Sequence, residues 1–352
     1  MEEEIKSFIQ VWITAIISLF YCYFIAAKIP DGKLRLLSLL PVIYLFIVLP
    51  FNLSSIHLLG PTTFYLTWLA NFKLLLFSFD QGPLSLTTQP TPSLLQFISI
   101  SCLPIKIKQN PSQIPKLKEN PSLQYTKSPQ SALLMFCKAL LLALVIRIYD
   151  YRTQLHPMVI LALYCCHIYL GVEIILAIGA ALARTLLGLD LEPQFDEPYL
   201  STSLQDFWGR RWNLMVTSIL RPTVYNPIRS ISTSILGREW ALLSALVATF
   251  LVSGLMHEVI YFYLTRVSPT WEVTWFFVLH GFCTAMEVVV KKGLKGRFEL
   301  HRAISGPLTV GFVALTGYWL FFPQITRNHV DEGAIREYSI LLDFVKDKFR
   351  LR

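Results

Sequence analysis

One apolar stretch carries the side chains best suited to chemistry. Residues 241–265 read ALLSALVATFLVSGLMHEVIYFYLT and hold His257 and Glu258 well inside the run. An ionisable pair at membrane depth costs a few kcal/mol or more unless it faces a cavity or a partner. Spanning a bilayer does not require such a pair, so His257 is the first candidate for a general base, the commonest role of histidine near neutral pH. Ser253 and Gly254 lie four and three residues earlier, on the same helical face. Their small side chains are expected to leave room for a substrate. Glu258 points about 100° away and cannot be a simple dyad partner, so it is expected in the cavity or behind it. His280 is the rival, with Glu287 seven residues later on its own face. It too is expected near the cavity. His57, His156, His167, His301 and His329 sit at span ends, on spans or in polar loops, where structural roles suffice.

Other chemistries lack their residues. No G-x-S-x-G elbow and no P-loop occurs, and His257-Glu258 is followed by Val259, Ile260 and Tyr261 rather than by the spacing of a zinc helix. No second or third metal ligand accompanies His257, so neither metal nor cofactor is expected. A transporter with a buried His–Glu proton relay is the competing class. It would call for broken helices at corresponding positions of two halves, and no internal repeat is visible.

The elements that position these residues follow from composition. The chain has 352 residues, 54% hydrophobic and 15% charged, with a mean hydropathy of +0.51. Soluble domains average about 25% charged residues; this is the composition of an integral membrane protein. Apolar runs at 8–27, 34–51, 57–79, 131–148, 158–187, 241–265, 272–290 and 304–323 suggest an all-α, polytopic protein of about eight transmembrane helices. The expected organisation is a single domain over 1–352, with the catalytic segment at about 188–290. The run at 94–105 is too short to span. Residues 57–79 contain Asn71 and Lys73, which favours a place in the protein interior over one facing lipid. The six cysteines lie in or beside apolar runs without C-x-x-C spacing and read as small buried hydrophobes.

The net charge is +8. In this class that excess marks cytoplasmic loops and anionic lipid head groups rather than nucleic acid. Three basic connections, 28–35, 106–128 and 291–302, belong in the cytoplasm by the positive-inside rule, which gives a lumenal N-terminus. The connection 188–240 reads as a loop that splits by charge. Asp190, Glu192, Asp196, Glu197 and Asp206 come first, then Arg210, Arg211, Arg221, Arg229 and Arg238. Guanidinium forks match phosphate geometry, so the second part suits an anionic ligand. Between them, LQDFWGRRWN (204–213) suits an amphipathic helix at the membrane interface.

FWGRRWN (207–213), followed by GLMHE (254–258), resembles the membrane-bound O-acyltransferase superfamily pattern, in which an aromatic segment ending in Trp-Asn precedes a histidine in an apolar helix. PQFDEPYL (193–200), LMHEVIYFY (255–263) and the stretch 60–85 resemble the plant wax synthases of the jojoba type, so the resemblance covers nearly the whole chain. It implies an endoplasmic-reticulum membrane enzyme that moves a fatty acyl group from acyl-CoA to a long-chain alcohol, with a sterol or diacylglycerol as the alternative acceptor. It also implies His257 as the base and Asn213 as its polar partner in a tunnel. The alcohol proton must leave as oxygen attacks the thioester, a task for a neutral imidazole, and an amide at Asn213 could hold the thioester carbonyl. Arg210 and Arg211, with Trp208 and Trp212 beside them, are the expected acyl-CoA contacts. Acyl-CoA, the alcohol and membrane lipids are the expected partners.

Overall fold

The computed structural model describes residues 2–87, 91–107, 132–188, 191–294 and 300–349. The basic stretch 106–128 lies outside them beyond Ile107, as do Asp190, Lys295, Arg297 and Glu299. Among the described residues there is no sheet, only an isolated bridge between Ile107 and Leu191. Helix is what the composition demands, because a helix satisfies its backbone polar groups internally where no water can. The helices are α1 (Glu2–Phe24), α2 (Lys33–Val48), α3 (Ile56–Thr62), α4 (Asn71–Ser78), α5 (Leu94–Cys102), α6 (Ala132–Ile148) and α7 (Pro157–Leu187). After them come the single turn α8 (Leu204–Asp206), α9 (Leu214–Leu220), α10 (Asn226–Thr265), α11 (Glu272–Leu294), α12 (Arg302–Thr316), α13 (Pro323–Arg327) and α14 (Val330–Phe349). Four π-helical stretches, Thr63–Ala70, Phe207–Arg211, Arg221–Tyr225 and Gly317–Phe321, are set among them.

Among the described residues seven helices are long and apolar enough to cross a membrane, so this is a multi-pass membrane protein. The eighth expected span, 57–79, is different in kind. It is a helical run of α3, a π stretch and α4, and most of its side chains are buried in protein. It begins where Glu4 accepts hydrogen bonds from the Ser54 and Ser55 N–H groups at 2.7 and 2.8 Å. It ends where the Ser78 carbonyl accepts the Gly32 N–H at 2.6 Å, so it covers the same height as α1. Its polar residues explain the burial. The Lys73 ammonium donates to the Ile100 and Leu103 carbonyls at 2.5 and 2.7 Å, satisfying the C-terminus of α5, and Asn71 donates to Ile43 at 3.2 Å. The short run at 94–105 forms α5, packed inside through Phe97, Ile100 and Cys102.

The two ends of the bundle differ in chemistry. Gly32, Lys106 bonded to Glu192 at 2.6 Å, Lys292 paired with Glu239 and Lys291 beside Ser203 share one end, the basic end. The other end ties the termini together. Arg152 meets Glu332 at 3.0 Å, Arg266 meets the Leu53 carbonyl at 3.1 Å, and Glu337 on α14 accepts from the backbone N–H groups of Ile56 and His57. Helix α14 thereby satisfies the open N-terminus of α3.

The region read as the loop 188–240 is mostly an inward excursion of the chain. It leaves the basic end at Ser203 and reaches mid-depth at Trp208, which meets His280 in the middle of α11. It returns as α9, a π turn and the first part of α10. At Gly237 the backbone takes φ 80°, ψ 166°, which only glycine adopts readily, and α10 kinks there before running down the bundle. LQDFWGRRWN is accordingly a single helical turn running into a π segment, with Phe207 buried, Gln205, Gly209 and Arg210 exposed and the rest half-buried. Irregular backbone at membrane depth survives only where protein buries it or a cavity is lined by it. Here it does both. Helix α7 holds its flank: the Lys138 ammonium, buried in α6, meets Glu173 of α7 at 2.7 Å, Tyr169 at 3.1 Å and Glu197 of the excursion at 3.2 Å.

Candidate active site

Helices α10 and α11 meet at close range because of two glycines. A Cβ on Gly254 would lie 2.9 Å from the Thr274 Cα, and one on Gly281 would lie 2.8 Å from the Phe250 Cβ. Small residues of this kind let helices approach in lipid, where packing rather than hydrophobicity drives association. Gly254 therefore joins the two helices rather than opening space for a substrate, a correction to the sequence expectation. Glu258 does not line the chamber that holds His257. It is buried, and its Oε1 accepts the Thr274 N–H at 3.3 Å in the first turns of α11, away from the cavity.

What the close approach does position is His257. Its ring stacks on Phe277 at 4.2 Å between centroids and meets the edge of Trp68 at 5.2 Å. Its Nδ1 lies 2.7 Å from the Ser253 carbonyl one turn earlier. A carbonyl can only accept, so Nδ1 carries the proton and Nε2 keeps its lone pair. Ser253 thus contributes its backbone rather than its small side chain.

Asn213 starts α9 with φ 40° and ψ 66°, a left-handed conformation that asparagine tolerates. Its Oδ1 accepts the Val216 N–H at 3.3 Å, a helix cap. The acceptor is thereby committed, and the amide N–H₂ has no protein partner among the described residues. His257, Ser253 and Asn213 all line one chamber of about 400 Å³, together with Phe64, Trp68, Trp208, Trp212 and Phe277.

His280 does not serve as a base in this arrangement. It is fully buried; its Nδ1 accepts the Trp208 indole N–H at 3.1 Å and its Nε2 donates to the Thr316 hydroxyl at 2.9 Å. Thr316 passes the donation on to the Phe312 carbonyl at 2.7 Å. Both ring nitrogens are used, and the chain of bonds fixes the indole that walls the chamber. Glu287 is not its partner but accepts the Leu204 N–H at 2.8 Å. Of the other histidines, His57 pairs with Glu337 at 2.7 Å, His167 lies between Tyr149 and Tyr338, and His156 and His301 cap helices.

FWGRRWN separates two cavities. Trp208 and Trp212 line the chamber, while Arg210 and Arg211 line a vestibule of about 1420 Å³ at the basic end. Lys291 and Arg302, which sequence reasoning left unassigned, line the vestibule too. The two arginines are not equivalent. Arg211 is spent on the fold, with Nε 2.8 Å from Asp206 and Nη1 3.0 Å from the Asp196 carbonyl. Arg210 is exposed and, with Arg302, has no carboxylate partner among the described residues. Lys291 is held by Glu287 at 2.5 Å. No sequence signal pointed to Phe277 or Trp68, because their contacts with His257 are made only by tertiary packing. Among the described residues no group of three or more His, Cys, Asp or Glu is arranged to hold a metal.

The segment containing both halves of the site is shared with known proteins. Residues 191–279 match the profile described as "Membrane bound O-acyl transferase family". The chain is 53% identical to a long-chain-alcohol O-fatty-acyltransferase of Simmondsia chinensis, over 99% of this chain and 97% of that one. It is 50% identical to "Probable long-chain-alcohol O-fatty-acyltransferase 1" of Arabidopsis thaliana, over 98% of each. It is 48% identical to an acyl-CoA–sterol O-acyltransferase of Arabidopsis thaliana, over 95% of each. With likeness of this degree along its whole length, the chain belongs to the membrane bound O-acyl transferase family, in its plant wax-synthase group.

Proposed function

We propose that this protein transfers a fatty acyl group from acyl-CoA to the hydroxyl of a long-chain alcohol, forming a wax ester and free CoA. One observation carries the reading: an imidazole Nε2 and an amide N–H₂, neither with a protein partner among the described residues, belong to residues that line the same chamber. The names of the relatives from Simmondsia chinensis and Arabidopsis thaliana support the substrate pair.

In the proposed reaction, His257 Nε2 takes the alcohol proton as the alcohol oxygen attacks the thioester carbonyl carbon. The Asn213 amide donates to the carbonyl oxygen as negative charge gathers there. The carbon–sulfur bond then breaks, and the imidazolium returns its proton to the departing CoA sulfur. His257 ends as it began, and no cofactor is required. Ser253 holds the imidazole in the tautomer this needs, and Phe277 and Trp68 hold its plane. The vestibule cations Arg210 and Arg302 suit the nucleotide phosphates, and the basic end of the bundle is assigned to the cytoplasm, where acyl-CoA is met. The endoplasmic reticulum is the proposed membrane.

A sterol acceptor is the second reading, favoured by the 48% identity to the sterol acyltransferase. A chamber of about 400 Å³ walled by aromatic rings suits an extended alkyl chain better than a fused ring system. Microsomes from cells lacking neutral-lipid synthesis, given labelled acyl-CoA with a long-chain alcohol, a sterol or a diacylglycerol, test the choice. Wax esters are the expected product. Steryl esters or triacylglycerols without wax esters would overturn the acceptor while leaving acyl transfer standing.

A further inference from the structure

Chamber and vestibule have two lining residues in common, Gln205 and Gly209. Gly209 stands between Trp208, which faces the chamber, and Arg210, which faces the vestibule. A glycine in a helical stretch needs a reason, since only proline is less favourable there. The usual two reasons are absent. Its φ does not lie in the left-handed region that Gly237 occupies. A Cβ added to it would also meet no atom within 4 Å, unlike one at Gly254, which would collide with Thr274. Neither backbone geometry nor packing excludes a side chain at this position. What a side chain would enter is open space at the boundary between the two cavities.

We propose that Gly209 is a specificity-determining residue: its missing side chain leaves the doorway through which the pantetheine arm of acyl-CoA runs from the vestibule to the chamber. The inference rests on the acyl-CoA reading above. In that reading the thioester must reach His257 and Asn213 while the nucleotide phosphates remain near Arg210 and Arg302, so one continuous molecule has to occupy both cavities. Pantetheine is an unbranched arm with two amide groups, narrow enough for a passage without side chains. Gln205, at the same junction, can donate to and accept from an amide, and among the described residues its carboxamide has no protein partner. Trp208 is a fixed post rather than a swinging one, because His280 holds its indole nitrogen at 3.1 Å.

The test uses the full-length protein in lipid nanodiscs, with Gly209→Ala, Gly209→Leu and Gly209→Phe compared with Gly293→Leu. Gly293 is exposed, lines neither cavity and would likewise meet no atom with an added Cβ. The expected result is an apparent KM for acyl-CoA that rises with side-chain size, reaching about ten-fold or more for leucine and phenylalanine. Melting temperatures should stay at the wild-type value, and Gly293→Leu should behave as wild type. Wild-type KM and kcat in a folded Gly209→Phe protein would overturn the doorway. So would a loss of activity matched by a fall in melting temperature, which would assign the glycine to the fold. If the wild-type protein, assayed alongside, turns over no acyl-CoA, the acyl-transfer reading falls and the doorway with it.

Discussion

The imidazole of His257 donates its Nδ1–H to the carbonyl of Ser253, 2.7 Å away and one helical turn earlier. Asn213 is committed in the opposite sense, with its Oδ1 taken by the Val216 N–H at 3.3 Å. Each residue thus spends on its own helix the atom that the proposed reaction does not use. That leaves a lone pair on one and a donor on the other.

The vestibule arginines should separate in mutagenesis. Arg210→Gln should raise the apparent KM for acyl-CoA and flatten its dependence on salt, because an exposed cation acts through screened charge. Arg211→Gln should instead lower the melting temperature, since it leaves the hydrogen bonds to Asp206 and Asp196 unmade, and each charged bond is worth about 1.5–3 kcal/mol. Kinetics and thermal unfolding in detergent would distinguish them; equal kinetic effects without loss of stability would contradict the assignment.

Trp208 and His280 should behave as one unit. Trp208→Phe removes the indole N–H together with the ring that carries it, and His280→Leu removes its acceptor and the donor to Thr316. If His280 acts by positioning Trp208, the two losses in kcat should be non-additive in a double-mutant cycle, with a coupling of about 0.5–3 kcal/mol. His280→Gln, which keeps a donor and an acceptor, should restore part of the rate. Independent effects would show that His280 serves the core alone.

Docking of α14 should depend on pH. Burial pushes the Glu337 carboxyl up, but hydrogen bonds from the His57 side chain, the His57 and Ile56 N–H groups and the Ser55 hydroxyl outweigh it, so its folded pKa lies below the ordinary value. A depressed carboxylate pKa stabilises the fold above the unfolded value, and the contribution is lost as pH falls through the folded one. Glu337→Gln should therefore lower the melting temperature at neutral pH, and the gap to wild type should close below about pH 4. A gap that persists in acid would mean that the carboxylate charge is not what holds the helix.

The sequence showed the site more readily than its surroundings. His257 stood out because an imidazole in an apolar run is costly, whereas Ser253 read as a small neighbour leaving room for substrate and serves instead through its backbone carbonyl. The polar content of 57–79 likewise foretold an interior helix, and Lys73 is buried as a cap on α5. Gly254 was misread because a small residue in a membrane helix can mean space or contact, and only the position of Thr274 decides. Residues 188–240 read as a loop because their charges look solvated. In the folded chain Arg211 and Asp206 neutralise each other, Glu197 meets Lys138, and the segment turns inward. The π-helical stretches carry no local signature. All four nonetheless meet the site, through Trp68, Trp208 and Arg221 in the chamber wall and through Phe321 against His257 at 6.0 Å.

The central claim is that His257 is the base that takes the alcohol proton. The most direct measurement is single-turnover acyl transfer from labelled acyl-CoA to a long-chain alcohol by wild type and His257→Gln protein in nanodiscs, with folding checked by thermal unfolding. Glutamine keeps a polar group in the chamber but cannot take up a proton at neutral pH. The rate should fall by about 10²–10⁴ with the melting temperature little changed. A folded His257→Gln protein that transfers acyl groups within a few-fold of the wild-type rate would contradict the account.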